Sequence, residues 1–318
     1  MRAFVFPGQG SQAIGMGAEL ARASSIAREV FEEVDEALGQ KLSAIMREGP
    51  DDLLTLTENA QPAIMANAIA LLRVLEREGG VPIARECDFV AGHSLGEYTA
   101  LCAAGSFSLA DTARLLRLRG AAMQAAVPVG VGAMAVLLGA DIDKAQALAE
   151  AAAQGPLPGR GKEVCTVAND NDPSQVVISG HRGAIERAIA MVKQHGIKRA
   201  MALPVSAPFH CPLMAPAADA MAEAFERTPP ASLSLPLFAN VTAGMVYEPA
   251  EVKRLLIAQV TGRVRWRETA IAMKAAGVEE FVEFGAKVLG PMITRSAGDV
   301  AVRSIATIAD VEALAKVV

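Results

Sequence analysis

The sequence predicts an α/β fold with a large body and a small inserted unit, and three observations support this. The chain has 318 residues, which is enough to bury a large core and to form more than one structural unit. Hydrophobic residues make up 52% of it and aromatic residues only 4%, which is typical of an alanine-rich α/β enzyme with many helices. Short apolar runs alternate with helical patterns along most of the chain, and this alternation changes once near the middle.

The segment before the change begins with a strand and continues mainly with helices. Ser108 and Asp111 have the spacing of a helix start, because a serine side chain can accept a bond from the third helical N–H. The predicted elements are, in order, a strand at 3–6, a loop at 7–12, helices at about 24–38 and 60–78, a strand at 88–91, and helices that begin at 95 and 108.

The inserted unit has its own order of elements. Strands are predicted at 132–138, 164–168, 175–179 and 198–203, with helices at 141–153 and 182–195. The order β-α-β-β-α-β is that of a ferredoxin-like unit. We therefore expect a small subdomain at 129–204 and a large α/β body made of 1–128 and 205–318.

After the insert, the alternation of the body resumes. The predicted elements are a helix at 214–227, a strand at 235–240, helices near 250–259 and 267–276, a strand at 279–284, a helix at 288–296, a strand at 300–305 and a last helix.

Charge and cysteine usage exclude several classes of protein. The net charge of −5 argues against a nucleic-acid partner. The four cysteines are scattered without C-x-x-C spacing, which argues against a disulfide scaffold and a structural zinc site and favours a reducing, cytoplasmic location. The first apolar run is too short for a signal peptide, and the uncharged stretch 120–140 contains a proline and four glycines, so we expect no membrane segment.

The most informative motif is Gly92-His93-Ser94-Leu95-Gly96. It is a G-x-S-x-G between an apolar run and a helical pattern, which is the arrangement of a nucleophile elbow. A Cβ at either glycine would collide with backbone in so sharp a turn. The helix that begins after Ser94 directs free N–H groups and its positive dipole end toward negative charge that develops there. We therefore predict that Ser94 is a nucleophile rather than a structural turn serine.

A serine nucleophile needs a base, and the chain has four histidines. The side chain of His93 leaves the turn in another direction, and His181 and His195 lie at helix ends of the inserted unit. His210 lies in the proline-rich loop 204–212 where the chain returns to the body, which suits a positioned base; a packed structural histidine is the alternative. No downstream acidic residue is an obvious third member, so a backbone, Asn or Gln carbonyl is the expected acceptor of the Nδ1 proton.

Three further features have competing interpretations. Cys211 is a rival nucleophile, but it has no elbow and fits a buried neighbour of His210 better. The loop 8–13 fits a dinucleotide pattern, G-x-G-x-x-A, but an intervening proline favours a loop that offers backbone N–H groups to an oxyanion. Three arginines on one helix form a solvated face by default, although one near the helix end could bind a carboxylate: Arg114, Arg117 and Arg119.

These motifs occur together and in order. They are Gly8-Gln9-Gly10-Ser11-Gln12, Gly92-His93-Ser94-Leu95-Gly96-Glu97-Tyr98, Arg119-Gly120 and Pro208-Phe209-His210. With them, nearly the whole chain resembles malonyl-CoA:acyl-carrier-protein transacylases, the acyltransferase family of fatty acid and polyketide synthesis. The resemblance implies a hydrolase-like α/β body carrying a ferredoxin-like subdomain, in agreement with the order of elements.

The resemblance also implies a role for each matching residue. Ser94 is similar to the acylated nucleophile and His210 to the general base, and Gln259 matches the position that orients the histidine. The remaining implied roles are an oxyanion hole from the backbone N–H groups of Gln9 and Leu95, a carboxylate ligand in Arg119, polar pocket positions at His93, Asn169 and Asn171, and malonyl selectivity from Phe209.

The activity implied is transfer of a malonyl group from malonyl-CoA to the phosphopantetheine thiol of acyl carrier protein through a malonyl-serine intermediate. We expect a cytoplasmic monomer with no metal and no cofactor beyond its substrate. Three alternatives remain open from the sequence. They are a thioesterase or esterase, an acyltransferase that serves a polyketide synthase or malonate decarboxylase, and a non-catalytic scaffold that binds carrier protein.

Overall fold

The computed structural model describes residues 1–155, 163–205 and 207–317. Residues 156–162 of the predicted subdomain and residue 206 of the proline-rich loop lie outside this range. The strands are β1 (Arg2–Phe6), β2 (Phe89–Gly92), β3 (Gly132–Leu138), β4 (Cys165–Asp172), β5 (Gln175–His181), β6 (Arg199–Ala202), β7 (Leu237–Ala239), β8 (Gly244–Val246), β9 (Glu280–Phe284) and β10 (Ala301–Ile305). The helices are α1 (Ala18–Ala23), α2 (Ser25–Leu38), α3 (Leu42–Glu48), α4 (Asp51–Thr55), α5 (Thr57–Arg77), α6 (Ile83–Glu86), α7 (Leu95–Ala103), α8 (Leu109–Ala125), α9 (Ile142–Ala153), α10 (Arg182–Met191), α11 (Ala215–Arg227), α12 (Pro249–Thr261), α13 (Trp266–Ala275), α14 (Leu289–Ala297) and α15 (Ile308–Ala315).

The larger sheet forms the centre of the body. Its strand order is β10-β9-β1-β2-β7-β8, and every pair is parallel except the last, in which β8 runs antiparallel to β7. β1 and β2 are paired with Phe6 opposite Gly92, so the loop after β1 and the turn after β2 leave the sheet side by side. Ligands of parallel sheets bind at this carboxyl edge of the strands.

The smaller sheet has the order β4-β5-β3-β6, with each neighbouring pair antiparallel. This is the strand order expected when β-α-β-β-α-β folds as a ferredoxin-like unit, because each helix crosses over a strand that lies between its two flanking strands. A separate apolar cluster that includes Leu137, Ile178 and Ile185 packs this sheet against α9 and α10. The predicted fold class is confirmed, while the subdomain limits 129–204 stay a prediction.

Strand β4 is longer than the sequence predicted and is tied to the body. It continues to Asp172 rather than ending at residue 168, with Asp170 and Asp172 fully buried. Arg267 binds both carboxylate oxygens of Asp170 at 2.8–3.0 Å, and Arg295 binds Asp172 at 2.7 Å. Next to the first of these ion pairs, Val264 of the body exchanges backbone hydrogen bonds of 2.8 and 2.9 Å with Ala168 and Asp170 of β4. Paired charges therefore allow a polar sequence to be a buried strand.

Helix α5 is almost entirely buried and packs against α2, α7 and α8. Gly120 lets α8 approach it closely, since a Cβ there would lie 2.6 Å from the Cα of Glu58. Arg119, the preceding residue, is thereby held against α5 inside the protein.

Other differences from the sequence prediction lie away from the elbow. The helix predicted at 182–195 is α-helical only to Met191 and ends in a 3₁₀ turn, Val192–His195. Four short helices and one edge strand were missed: α1, α3, α4, α6 and β8. All four cysteines are free and buried. Within the described ranges, no helix combines the length and apolar character needed to cross a membrane.

Candidate active site

Ser94 occupies the strained turn that the motif predicted. Its backbone has φ 55° and ψ −110°, in the positive-φ region that disfavours residues other than glycine. A Cβ on Gly92 would lie 1.9 Å from the backbone of Gly96, and a Cβ on Gly96 would lie 2.2 Å from the carbonyl oxygen of Phe6. Both glycines are therefore required by close backbone approach, as predicted, and they let α7 begin directly above the end of β1.

His210 contacts Ser94 with the geometry of a general base. The Ser94 Oγ lies 2.7 Å from His210 Nε2, and His210 Nδ1 lies 2.8 Å from the backbone carbonyl oxygen of Gln259. Since a carbonyl only accepts, Nδ1 carries the proton and Nε2 is free to accept from the serine hydroxyl. Burial and, second, the positive charge of Arg119 lower the pKa of His210 to about 3, which keeps the ring neutral near pH 7.

Arg119 lies inside the protein with its guanidinium directed at the nucleophile. Only 1% of the residue is exposed. Its Nη1 donates to Gln61 Oε1 at 2.8 Å, and its Nη2 donates to Ser94 Oγ at 3.1 Å and to Gln259 Oε1 at 2.9 Å. Its carbon Cζ lies 5.5 Å from the ring centre of Tyr98. Among the described residues no carboxylate forms an ion pair with it, so a buried cation is available to an acidic ligand.

Two backbone N–H groups near Ser94 are free to face an oxyanion. In the described part of the chain, the N–H groups of Gln9 and Leu95 have no hydrogen-bond acceptor. Leu95 is the first residue of α7, where the helix supplies no acceptor. The loop of Gln9 lies against the elbow, since a Cβ on Gly8 would be 2.8 Å from the carbonyl oxygen of His93. The N–H of Ser94 itself is engaged, because it donates to Asn240 Oδ1 at 2.8 Å.

A cavity of about 400 Å³ opens above these groups, between the two sheets. The site residues predicted from the sequence that line it include Gln9, Ser94, Arg119 and His210, together with His93, Asn169, Asn171 and Phe209. Apolar side chains complete the wall, among them Met134 and Val177 of the smaller sheet, Met123 of α8 and Leu203 after β6. The cavity combines an apolar wall with polar groups that converge near Ser94, which is typical of a small-molecule site.

The neighbours of His93 explain its orientation. Its Nε2 lies 2.9 Å from Asn171 Oδ1, and the amide nitrogen of Asn171 donates to Gln175 Oε1 at 3.2 Å. The ring also contacts Trp266, with ring centres 5.8 Å apart. Burial lowers the pKa of His93, and its ring faces β4 rather than the Ser94 hydroxyl. His93 is therefore a wall residue and not the partner of the nucleophile.

The competing candidates lie elsewhere. The Cys211 thiol is buried and donates to the Pro208 carbonyl at 3.1 Å, and burial raises its pKa. Arg114 pairs with Asp111 on the surface, and Arg117 donates to the Glu58 carbonyl at 2.8 Å, so only Arg119 of the three reaches the cavity.

Three buried residues of the site were not singled out from the sequence: Gln61, Glu97 and Asn240. Glu97 Oε2 accepts from Gln259 Nε2 at 2.9 Å and from the Asn240 backbone at 3.0 Å, and burial raises its pKa to about 7. Glu97 sits within the elbow motif as a charged residue on an otherwise apolar helix, which was a usable signal. Within the described ranges, no group of three or more His, Cys, Asp or Glu side chains has an arrangement that could hold a metal ion.

Comparisons with known proteins agree with this geometry. The acyl transferase domain family matches residues 3–289. A malonyl CoA-acyl carrier protein transacylase of Bacillus subtilis is 43% identical over 92% of this chain and 89% of its own, and that of Escherichia coli K12 is 42% identical over 89% and 88%.

Solved structures are equally similar. An acyl-carrier-protein-S-malonyltransferase from Bartonella henselae has a TM-score of 0.94 and 50% identity, with 99% of this chain and 98% of that chain covered. A malonyl-transacylase in complex with its type II PKS acyl-carrier protein has a TM-score of 0.93 and 36% identity, with 100% and 99% covered. The resemblance inferred from the motifs is confirmed, and the chain belongs to the acyl transferase domain family, among the malonyl-CoA:acyl-carrier-protein transacylases.

Proposed function

We propose that this chain transfers the malonyl group of malonyl-CoA to the phosphopantetheine thiol of an acyl carrier protein through a malonyl ester on Ser94, and so supplies fatty acid synthesis. One observation carries the proposal: a buried arginine, which pairs with no carboxylate in the described part of the chain, donates to the hydroxyl of a serine that also contacts a neutral histidine. A buried cation so close to a nucleophile favours an acyl group that carries its own negative charge.

In the first half-reaction, His210 Nε2 accepts the proton of the Ser94 hydroxyl as Oγ attacks the thioester carbonyl carbon. The carbonyl oxygen becomes an oxyanion, stabilised by the free N–H groups of Gln9 and Leu95. When the intermediate collapses, the carbon–sulfur bond breaks, and His210 returns its proton to the leaving thiolate of coenzyme A. Arg119 holds the malonyl carboxylate, and the Gln259 carbonyl keeps the His210 ring in its basic tautomer.

In the second half-reaction, the roles reverse. The carrier's phosphopantetheine thiol gives its proton to His210 Nε2 as its sulfur attacks the ester carbonyl. The same oxyanion hole stabilises the intermediate, the bond to Ser94 Oγ breaks, and the histidine protonates the serine. The names of the relatives and the carrier complex of one of them support this second substrate.

The same proposal includes the less specific expectations from the sequence. We infer a cytoplasmic monomer that uses no cofactor beyond malonyl-CoA, with 1–128 and 205–318 as the catalytic body and 129–204 as the small subdomain. His93, Asn169, Asn171 and Phe209 serve as substrate-binding positions of the cavity wall, supported by their place in its lining.

The test is a direct search for the acyl-enzyme. Malonyl-CoA alone should add one malonyl mass to the protein, on the peptide that contains Ser94, and Ser94→Ala should abolish the addition. Adding holo carrier protein should move that mass to the carrier. Label on Cys211, or release of free malonate faster than transfer, would contradict the proposal, because the first changes the nucleophile and the second makes the protein a thioesterase.

A further inference from the structure

Asn240 follows β7 directly and contacts both sides of the nucleophile elbow. Its Nδ2 donates to the Gly92 carbonyl oxygen at 2.7 Å, and its Oδ1 accepts from the Ser94 N–H at 2.8 Å. These two groups flank His93. In a parallel ladder, one residue bonds in the same way to the carbonyl before and the N–H after its partner. The side-chain amide of Asn240 therefore continues the β2–β7 ladder two residues beyond its last backbone pair, Ala91 with Phe238.

This contact occurs where the backbone is strained. Ser94 has a positive φ, and its N–H would lose its hydrogen-bond partner if Asn240 did not accept from it. The contact also determines which N–H groups can bind an oxyanion. Because the N–H of Ser94 donates to Asn240 Oδ1, the first N–H of the elbow available to an oxyanion is that of Leu95, at the start of α7.

Asn240 is itself fixed by neighbours on two helices. Its backbone N–H donates to Glu97 Oε2 at 3.0 Å, and the same oxygen accepts from Gln259 Nε2 at 2.9 Å. Gln259 Nε2 also donates to the Ser94 carbonyl oxygen at 2.9 Å. The N–H and the carbonyl of Ser94 are thus held by the side-chain amides of Asn240 and Gln259. These two residues also both donate to the buried carboxyl group of Glu97.

We propose that Asn240 is a positioning residue of the transfer reaction, whose side-chain amide holds Ser94 in its strained conformation and leaves the Leu95 N–H free for the oxyanion. The proposal rests on the proposed function only through the identity of the nucleophile. Asn240 is fully buried and does not line the cavity, so it acts through Ser94 and not on the substrate.

The decisive variant is Asn240→Asp, because its effect depends on protonation. An ionised carboxylate can accept from the Ser94 N–H but has no hydrogen for the Gly92 carbonyl, which it repels. A protonated carboxyl donates to Gly92 and accepts from Ser94, as the amide does. Burial beside Glu97 raises the pKa of the introduced carboxyl, so that it titrates in the range where the enzyme works.

Two rates are measured from pH 5.5 to 8: acylation of Ser94 by malonyl-CoA and labelling of Ser94 by a fluorophosphonate, which needs the nucleophile but no malonyl recognition. At pH 8 both rates should fall by about 10- to 100-fold relative to the natural chain, because a nucleophile that is displaced from its reactive position reacts more slowly by about that factor. The ratio of variant to natural rates should then rise by about tenfold toward pH 5.5. The KM for malonyl-CoA should stay unchanged, because the Arg119 contacts are intact.

The other titratable groups of the network are Glu97, which contacts Asn240, and His93, Arg119 and His210, which surround Ser94. The natural chain contains all of them, so its own pH profile corrects for their titration. Asn240→Ala should be slow at every pH, without recovery in acid. The matched control is Asn67→Asp, at a buried asparagine that donates to the Gly285 carbonyl at 3.3 Å. Its ratio of variant to natural rates should not rise toward pH 5.5.

The outcomes separate the two proposals. Fluorophosphonate labelling of Asn240→Asp at the natural rate throughout, or a deficit that does not change with pH, would overturn the positioning role. Failure of malonyl-CoA to acylate the natural chain would instead overturn the proposed function, and the fluorophosphonate rates would still decide the role of Asn240.

Discussion

Replacing Arg119 with alanine should reverse the preference between malonyl and acetyl groups. The two acyl groups differ by one carboxylate, and Arg119 is the buried cation whose Nη2 lies 3.1 Å from the attacking oxygen. Without it, a malonyl carboxylate would be desolvated with no paired charge, at a cost of about 2–5 kcal/mol. At 1.36 kcal/mol per tenfold change, that corresponds to a loss of about 30- to 5,000-fold in malonyl transfer.

Acetyl transfer should be unchanged or faster in the same variant, because an acetyl group presents no charge to this end of the cavity. The Gln61 and Gln259 oxygens lose their donor in both reactions, so this loss cancels in the ratio of the two rates. The assay is therefore the ratio of kcat/KM for malonyl-CoA and acetyl-CoA. Arg117→Ala is the matched control, since it removes a charge from the same helix at a side chain that donates to the Glu58 carbonyl instead.

Two results would refute this reasoning. A parallel loss of both activities in Arg119→Ala would make Arg119 a structural residue, and a natural chain that prefers acetyl-CoA would remove the basis of the malonyl assignment. Arg119→Lys gives an intermediate case, since an ammonium cannot form two parallel bonds to a carboxylate, and it should recover only part of the ratio.

The remaining predictions concern the base, the elbow and the carrier. His210→Ala should slow acylation by at least about 10²-fold, and a near-normal rate would transfer the role of base to another group. The pKa of His210 is lowered to about 3, so this base is neutral above that pH and protonated below it, and its titration should slow acylation only in acid below about pH 5. Protonation of His210 with a midpoint near the ordinary histidine value of 6.5 would contradict this. Gly96→Ala should lower Tm by about 3–10 °C or prevent folding, because its Cβ would lie 2.2 Å from a carbonyl oxygen, whereas Gly183→Ala, with 3.5 Å of space, should not. Transfer to an acidic carrier should slow with added salt more than acylation of Ser94 does, because exposed basic residues of the smaller sheet and its flanks attract the carrier: Lys193, Lys198 and Arg199. Equal salt dependence of the two half-reactions would exclude electrostatic docking.

The parts of the site predicted from the sequence were those with local causes. The elbow depends on two glycines and a strand–helix junction within five residues, so Ser94 could be identified without tertiary information. The base was found by elimination among the four histidines, and the structure places it within hydrogen-bond distance of Ser94. The carbonyl acceptor for Nδ1 is the backbone oxygen of Gln259, the residue to which the family resemblance assigned the orientation of the histidine, although no local pattern in the sequence determines this contact.

The parts that were missed depend on distant partners. Residues 169–172 are polar and have no strand pattern, and they extend β4 because Arg267 and Arg295 neutralise their carboxylates from another part of the chain. Asn240 is the last residue of a predicted strand and gave no local signal, since its side chain contacts an elbow 146 residues earlier in the chain. The short helices and β8 lie below the length at which hydrophobic periodicity is informative.

The attachment of β4 to the body has a mechanical consequence. Two ion pairs with fully buried carboxylates and a backbone bridge at Val264 join β4 to the part of the body that carries α13 and α14, so separating the two would expose both carboxylates at once. These contacts fix the position of β4, which carries Asn169 and Asn171 of the cavity wall, relative to the body. We expect the phosphopantetheine arm of coenzyme A, and then that of the carrier, to enter this cavity, while the rest of each molecule stays outside. We expect such an arm to fill the cavity and so to limit the access of water to the ester, without a moving cover.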